Sequence, residues 1–313
     1  MTRREFSGGE QPPVQPLLVR RAPLTLEGSF MRERGYYSTR TGKNRSVSRV
    51  DLPQLRRLFL SVYKDLYRRG YFQEAFGYNC VDAGEVLGTL GEDIAGRIFV
   101  AIRKSLLWPI EDKIDIYDDE DLFDIIEFLF DYVSEPVDGH YHSFNGCGMH
   151  YTSFNHRNGQ EQFRKELNPS LAIYKDGYAL SGRGEILHLP EAGMSPLIGA
   201  SLPRCDPENI EARVEEAKDR FRRHHSSLED RKHALRDLAD VLEYLRPQVK
   251  RVLSNKDEGD LFNIINNFGI RHHNPQQKTN YDTSIWYSWM FYFFLATIHA
   301  CLRLIEKKKP GSP

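Results

Sequence analysis

Ile285–Leu302, IWYSWMFYFFLATIHACL, runs without Asp, Glu, Lys or Arg and is followed at once by RLIEKKK. Length and flanking charge would suit a membrane-spanning helix. Tyr287, Ser288, Tyr292, Thr297 and His299 are spread through the run, however, and the remaining chain is strongly polar with no second segment of this kind. The run therefore reads as a buried or dimer-interface helix, and the fold as mainly α around it. Upstream, LFNII and ALRDLADVLEYL supply shorter amphipathic faces for that helix to pack on.

Working back from this anchor, Leu261, Ile264, Ile265 and Phe268 give one helical face. Leu235, Leu238, Leu242 and Leu245 give a second, and Ile210, Val214, Ala217 and Phe221 a third. From about residue 206 to 309 the chain thus predicts a bundle of about four helices. Pro190, Pro196 and Pro203 place a linker over 191–205. Residues 46–190 form an α-rich N-terminal domain. Its first helix starts at the N-cap Asp51, uses Leu55, Leu58, Phe59, Val62, Tyr63 and Leu66, and closes at Gly70. A second helix is expected over Leu87, Leu90, Ile94, Ile98, Ile102 and Leu106, ending at Pro109. A third carries Leu122, Ile125, Ile126, Leu129 and Val133 behind an acidic first turn. The stretch DGHYHSFNGCGMHYTSFNHRNGQ reads as irregular, a helix with Phe163 and Leu167 follows, and GYALSGRGEIL forms a small β-hairpin. Residues 1–45 mix Pro, Gly, Ser and Arg without periodicity and read as a loosely ordered arm without an export signal.

Lys and Arg number 43 against 44 Asp and Glu, so any polyanion site has to be local rather than a property of the whole chain. Cys80, Cys147, Cys205 and Cys301 contain no CxxC pair and fit free thiols in a reducing, cytoplasmic compartment. His140, His142, Cys147, His150 and His156 are zinc-binding types crowded into one loop. Their spacing matches no familiar ligand pair beyond C-x2-H at Cys147 and His150, so a Tyr- and Ser-rich surface loop without metal or other cofactor is expected. Arg220–His233, RFRRHHSSLEDRKH, reads as a solvated helix end, with phosphate contact as the alternative.

The richest polar stretch is Asn266–Asp282, NNFGIRHHNPQQKTNYD. Cleaving RNA without a metal needs groups to take a proton from the 2′-hydroxyl and return one to the leaving oxygen. It also needs a cation to hold charge on the phosphoryl oxygens. Arg271 supplies the cation, His272 or His273 the acid and base, and Asn274, Gln277 and Lys278 are candidates to orient a phosphate or base. A polar loop capping the bundle would have similar composition.

Two resemblances bear on this choice. ALRDLADVLEYL, DLFNIINNFGIRHHN and WYSWMFYFFLATIHACLRLIEK together resemble a HEPN domain of the abortive-infection type, over about residues 206–309. LLWPI, DIIEFLFDYVSEP and FRKELNPSLAIYKDGYALSGRGEIL are similar to the N-terminal domain of AbiJ-type abortive-infection proteins, over about 47–189. The resemblance implies a phage-defence or toxin-type endoribonuclease that is metal-independent, acts on RNA as a homodimer through its C-terminal helices, and answers to an antitoxin or sensor partner. The family motif is an arginine, a polar residue, and a histidine four to six positions further on. Arg271 and His272 match the first two elements, while Asn274, Pro275, Gln276 and Gln277 stand where that histidine is expected. Either His272 or His273 supplies the proton chemistry, or the bundle is a non-catalytic module binding nucleic acid, nucleotide or a partner protein.

Overall fold

The computed structural model describes residues 37–41, 49–191, 193–268, 270 and 281–308. The chain separates into two units, 1–45 and 46–313. In the first, Tyr37–Arg40 (α1) is a single helical turn. Everything that follows concerns the second, which is mainly helical with small antiparallel hairpins.

Leu52–Arg68 (α2) begins where its sequence says it should. The Asp51 carboxylate accepts from the Gln54 amide at 2.9 Å, and the Gln54 side chain accepts from the Asp51 amide at 3.0 Å, a reciprocal cap that satisfies two orphan donors. Leu55, Phe59, Tyr63 and Leu66 are buried, whereas Leu58 falls off that face and is exposed. Gly70 ends the run at φ +86°, and a Cβ there would sit 2.4 Å from the Tyr151 ring. A short turn, Gln73–Phe76 (α3), follows.

The helix expected over Leu87–Leu106 is only partly there. Tyr78–Cys80 (β1) and Gly84–Val86 (β2) pair as an antiparallel hairpin, and helix begins only at Ile94–Ile102 (α4), with Asp93 capping the Gly96 amide. The reason lies at Gly88, whose backbone presses on the carbonyl of Ala75 so closely that a Cβ would be 2.3 Å away. The chain has to turn there, and Leu87 and Leu106 end up exposed.

Ile110–Lys113 (α5) leads to Asp119–Tyr132 (α6), capped reciprocally by Asp118 and Asp121. The acidic end is partly neutralised by Lys104, 3.1 Å from Asp121 and 2.9 Å from Asp124. Leu122, Ile125, Ile126, Leu129 and Val133 are buried, as the periodicity requires.

The stretch expected to be irregular is instead a second hairpin, Glu135–His142 (β3) with Gly148–Asn155 (β4), register-shifted around Asp138. Its alternation escapes a hydrophobic pattern because His and Tyr, not Val or Ile, occupy the alternating positions. His156–Ala172 (α7) then crosses β3 so closely that a Cβ on Gly159 would meet the Ser134 Cα at 2.5 Å. Tyr178–Leu180 (β5) and Ile186–His188 (β6) make the third hairpin, at the place expected. Residues 55–186 share one hydrophobic core.

Ser195–Ile198 (α8) lies in the linker region. Ala212–Arg222 (α9), Leu228–Val249 (α10), Asn255–Asn267 (α11) and Thr283–Lys307 (α12) enclose a second core. Ile210, Val214, Ala217, Phe221, Leu235, Leu238, Leu242 and Leu245 all enter it. The Phe221 ring stacks on Phe291 of α12 at 4.0 Å. On α11 Phe262 is buried under the Arg246 guanidinium and Glu258 is buried beside it, while Leu261 and Ile264 are only half-buried. By length and composition α12 could cross a membrane, yet Met290, Phe291, Phe294, Leu295, Ile298 and Leu302 are committed to this core.

Gly159→Ala should lower stability by about 1–3 kcal/mol through overpacking of the α7–β3 crossing, because the obstructing atoms are backbone and cannot rotate away. A urea midpoint equal to wild type would show that the crossing relaxes instead.

Candidate functional site

Arg271, His272, His273, Asn274, Gln277 and Lys278 lie outside the described residues, and the structure bears on them only through what flanks them. Tyr281 donates its hydroxyl to the Phe268 carbonyl at 2.8 Å, so residues 268 and 281 are held side by side. Beside them the Ile270 carbonyl accepts from Arg236 of α10 at 3.2 Å. The same end of the bundle carries a ladder of rings. Phe268 stacks on Trp286 at 5.6 Å, Trp286 meets Trp289 edge-on at 5.3 Å, and Trp289 stacks on Phe293 at 5.2 Å. Trp286 and Trp289 are 38% and 43% exposed. Next to them opens a mostly apolar groove of about 650 Å³, walled by Met194, Leu197, Ile285, Trp289, Tyr292 and Phe293. The α12 pattern thus serves two faces, one packed on α10 and one left open.

The basic cluster Arg220–His233 is divided: Arg223 and His225 stay exposed, as a solvated helix end would, while Arg222 and His224 are half-buried. Arg222 donates to the His188 carbonyl at 2.8 Å, and Arg223 grips Glu185 with two nitrogens at 2.8 and 2.9 Å. Arg220 pairs with Glu216 and Asp237. His224 and His188 approach at 3.3 Å, nitrogen to nitrogen, under the rings of Phe123 and Tyr178. These residues form the seam between the two cores, which explains their density without a phosphate.

A third constellation was only half visible in the sequence. The β3–β4 pairing sets His140 opposite His150 and puts His142 two residues along on the same face. The tip brings Cys147 back through Gly146 and Gly148, both at positive φ. The β1–β2 hairpin adds Cys80. One ligand atom each from Cys80, His142, Cys147 and His150 lies within 4.8 Å of all the others. Cys147 Sγ is 3.1 Å from His150 Nε2, and Cys80 Sγ is 3.7 Å from His142 Nδ1. The outer nitrogen of His142, Nε2, meets the Asp82 carboxylate at 3.2 Å, and the Tyr78 ring stacks on His150 at 4.3 Å. Backbone amides of Ala83 and Asp82 point at the Cys80 sulfur and hold that thiol below its ordinary range. His140 contributes a ring edge but stands outside the set, and His156 pairs with Glu74 at 3.2 Å. Cys80, more than sixty residues upstream, carried no local signal that it belonged here.

No protein-family model, curated protein or solved structure matches the chain, so its chemistry has to be read from its own side chains.

The seam yields a pH prediction. Burial, reinforced by the neighbouring His225, holds His188 and His224 below the ordinary histidine range. The unfolded chain therefore takes up protons near pH ~6.5 that the folded seam resists, and stability is full above that pH and declines as pH falls below it. The urea midpoint should drop between about pH 7 and about pH 5.5, and a His188→Gln/His224→Gln double variant should flatten part of that slope. An unchanged slope in the double variant would assign the fall to other groups.

Proposed function

We propose that the C-terminal bundle is a HEPN-like module that engages RNA at its Phe268–Tyr281 end and cuts it without a catalytic metal. The observation that carries this reading is a juxtaposition. A segment whose sequence holds Arg271, His272, His273 and Lys278 is flanked by Phe268 and Tyr281, which are hydrogen-bonded to each other beside exposed indoles and an apolar groove.

Unpaired bases stack on exposed aromatic rings whatever their sequence, and arginine and lysine beside such rings take up the phosphates. Trp286 and Trp289 supply the stacking surface, and Asn274, Gln277 and Lys278 orient the strand. Arg271 balances the charge that develops on the phosphoryl oxygens, and His272 or His273 moves the protons. Along the rest of α12 an apolar stripe continues outward through Ala296, Ala300 and Leu304. Small residues there let a second copy approach closely, which fits a homodimer bringing two such ends together. In this reading the N-terminal part, joined by the charged seam, senses a trigger or binds an antitoxin-type partner.

Two measurements test the reading. In buffer without added divalent cations, the protein should cut a mixed RNA pool to leave 2′,3′-cyclic phosphate ends. Arg271→Ala should lower that rate roughly 100- to 1000-fold, and His272→Ala/His273→Ala should abolish it. Trp286→Ala/Trp289→Ala should weaken single-stranded RNA binding roughly 10- to 100-fold, as expected for losing about 1–3 kcal/mol of stacking. Cutting that survives both active-site variants would overturn the site. Tight binding without cutting would leave the non-catalytic module, the reading that the unfilled histidine position of the motif favours.

A further inference from the structure

We propose that Cys80, His142, Cys147 and His150 bind one zinc ion, and that this ion is a structural clasp joining the β1–β2 hairpin to the tip of β3–β4. The inference stands apart from RNA cleavage, since the four residues sit on the β1–β2 and β3–β4 hairpins, outside the C-terminal bundle.

The donor set is the first argument. Two thiols and two imidazoles around one point form a tetrahedral sulfur–nitrogen site, the chemistry that selects zinc among the common divalent ions. A tetrahedral zinc with Zn–S near 2.3 Å and Zn–N near 2.0–2.1 Å puts sulfur and nitrogen ligands about 3.5 Å apart. The two pairs here are separated by 3.1 and 3.7 Å, on either side of that value. Four protein ligands close the coordination sphere and leave no position for water or substrate, so the role is structural rather than catalytic. On binding, the two thiols lose their protons to solvent and the imidazoles bind as neutral rings.

Convergence is the second argument. Composition alone puts histidines near one another in a His-rich loop, but it does not deliver Cys80 from a separate hairpin to the same point. Nor does it explain Asp82, whose carboxylate takes the outer nitrogen of His142 at 3.2 Å and leaves Nδ1 aimed at the cluster. A carboxylate behind a ligating histidine fixes ring orientation and raises its basicity.

Need is the third. The β1–β2 hairpin has three residues per strand, pairs with no other sheet among the described residues, and fully buries none of its side chains. An isolated two-stranded hairpin is marginal in water. Its ties to β3 and β4 near the cluster are side-chain contacts alone: Cys147 to the Asn79 carbonyl at 3.7 Å, Asp82 to His142 at 3.2 Å, and the Tyr78 ring on His150 at 4.3 Å. A metal bond to Cys80 adds a stronger link at the point where these contacts converge.

The test is metal content and metal affinity of the full-length protein, with no activity assay involved. Protein purified without added metal should carry about one zinc per chain by elemental analysis. Protein stripped under reducing conditions should take up Co²⁺ with the intense visible bands of a tetrahedral thiolate site, displaced by zinc. Cys80→Ser and Cys147→Ser should each abolish that spectrum, while Cys205→Ser and His156→Ala should keep it. Asp82→Asn should retain the spectrum with roughly 10- to 100-fold weaker zinc affinity. Should the cysteine variants fail to fold, cobalt titration of the stripped wild type and the Asp82→Asn affinity still decide. Wild type that takes up neither ion, a Cys80–Cys147 disulfide in the reduced preparation, or a site that survives Cys80→Ser would overturn the proposal.

Discussion

Three two-stranded hairpins that never join into a wider sheet impose the constraint around which residues 49–191 are arranged. Each hairpin leaves edges whose amides and carbonyls need partners, and strands of three residues bury too little to hold themselves. The answers come from side chains reaching in from elsewhere. Gln73 acts as a surrogate strand for β4, donating to the Met149 carbonyl at 3.0 Å and accepting from the Tyr151 amide at 2.6 Å. Arg164 and Asn168 take the Leu180 carbonyl of β5. Glu127 accepts from the Ile186 amide of β6 at 2.6 Å, and its burial keeps that carboxyl above the usual range. Arg222 takes the next free carbonyl of β6, at His188, and so ties the second core to the first. The charged seam is therefore the edge protection of a hairpin as much as a junction between cores. The β1–β2 hairpin is the exception: its neighbours offer it cysteine and histidine in place of amides and guanidinium.

How much of this could be read beforehand follows from the range of the signals. Helices announce themselves locally, through Asp51 and Gln54, Asp118 and Asp121, and through leucines at helical spacing on α10. Those elements and their buried faces were legible. Gly88 was misread because its reason is tertiary: the Ala75 carbonyl occupies the space a side chain would need. The β3–β4 hairpin was hidden by its composition, since positions that would carry Val or Ile in an ordinary strand carry His and Tyr. Cys80 was invisible for a tertiary reason. Nothing near residue 80 says that a loop some sixty residues later will fold back onto it. The basic run at Arg220–His233 was legible as charge but not as direction, because its partners Glu185 and His188 stand on a different hairpin.

The long apolar helix shows why composition alone left the fold undecided between membrane and core. An 18-residue window without charge is expected either for a span or for a helix covered on all sides. In α12 one side is covered by the bundle, and the other keeps aromatic residues toward its start and small ones toward its end. A partner for that second side removes the need for lipid. RNA bases suit the aromatic half and a second protein chain suits the small half, so the two occupants proposed for α12 do not compete for one surface.

Placing the proposed metal clasp and the proposed RNA-binding end in different parts of the chain changes how a chelator experiment has to be read. A nuclease that uses only arginine and histidine needs no ion for chemistry, yet stripping zinc from the N-terminal module would free the β1–β2 hairpin and loosen the core it leans on. That core meets the bundle at β6, where Arg222 takes the His188 carbonyl, and just before it at Glu185, which Arg223 holds. Activity lost in a strong chelator would thus not by itself distinguish a folding metal from one in the active site. The two causes separate by order of events. A catalytic ion is restored as fast as it binds, whereas a structural one returns activity only as fast as the hairpins refold around it.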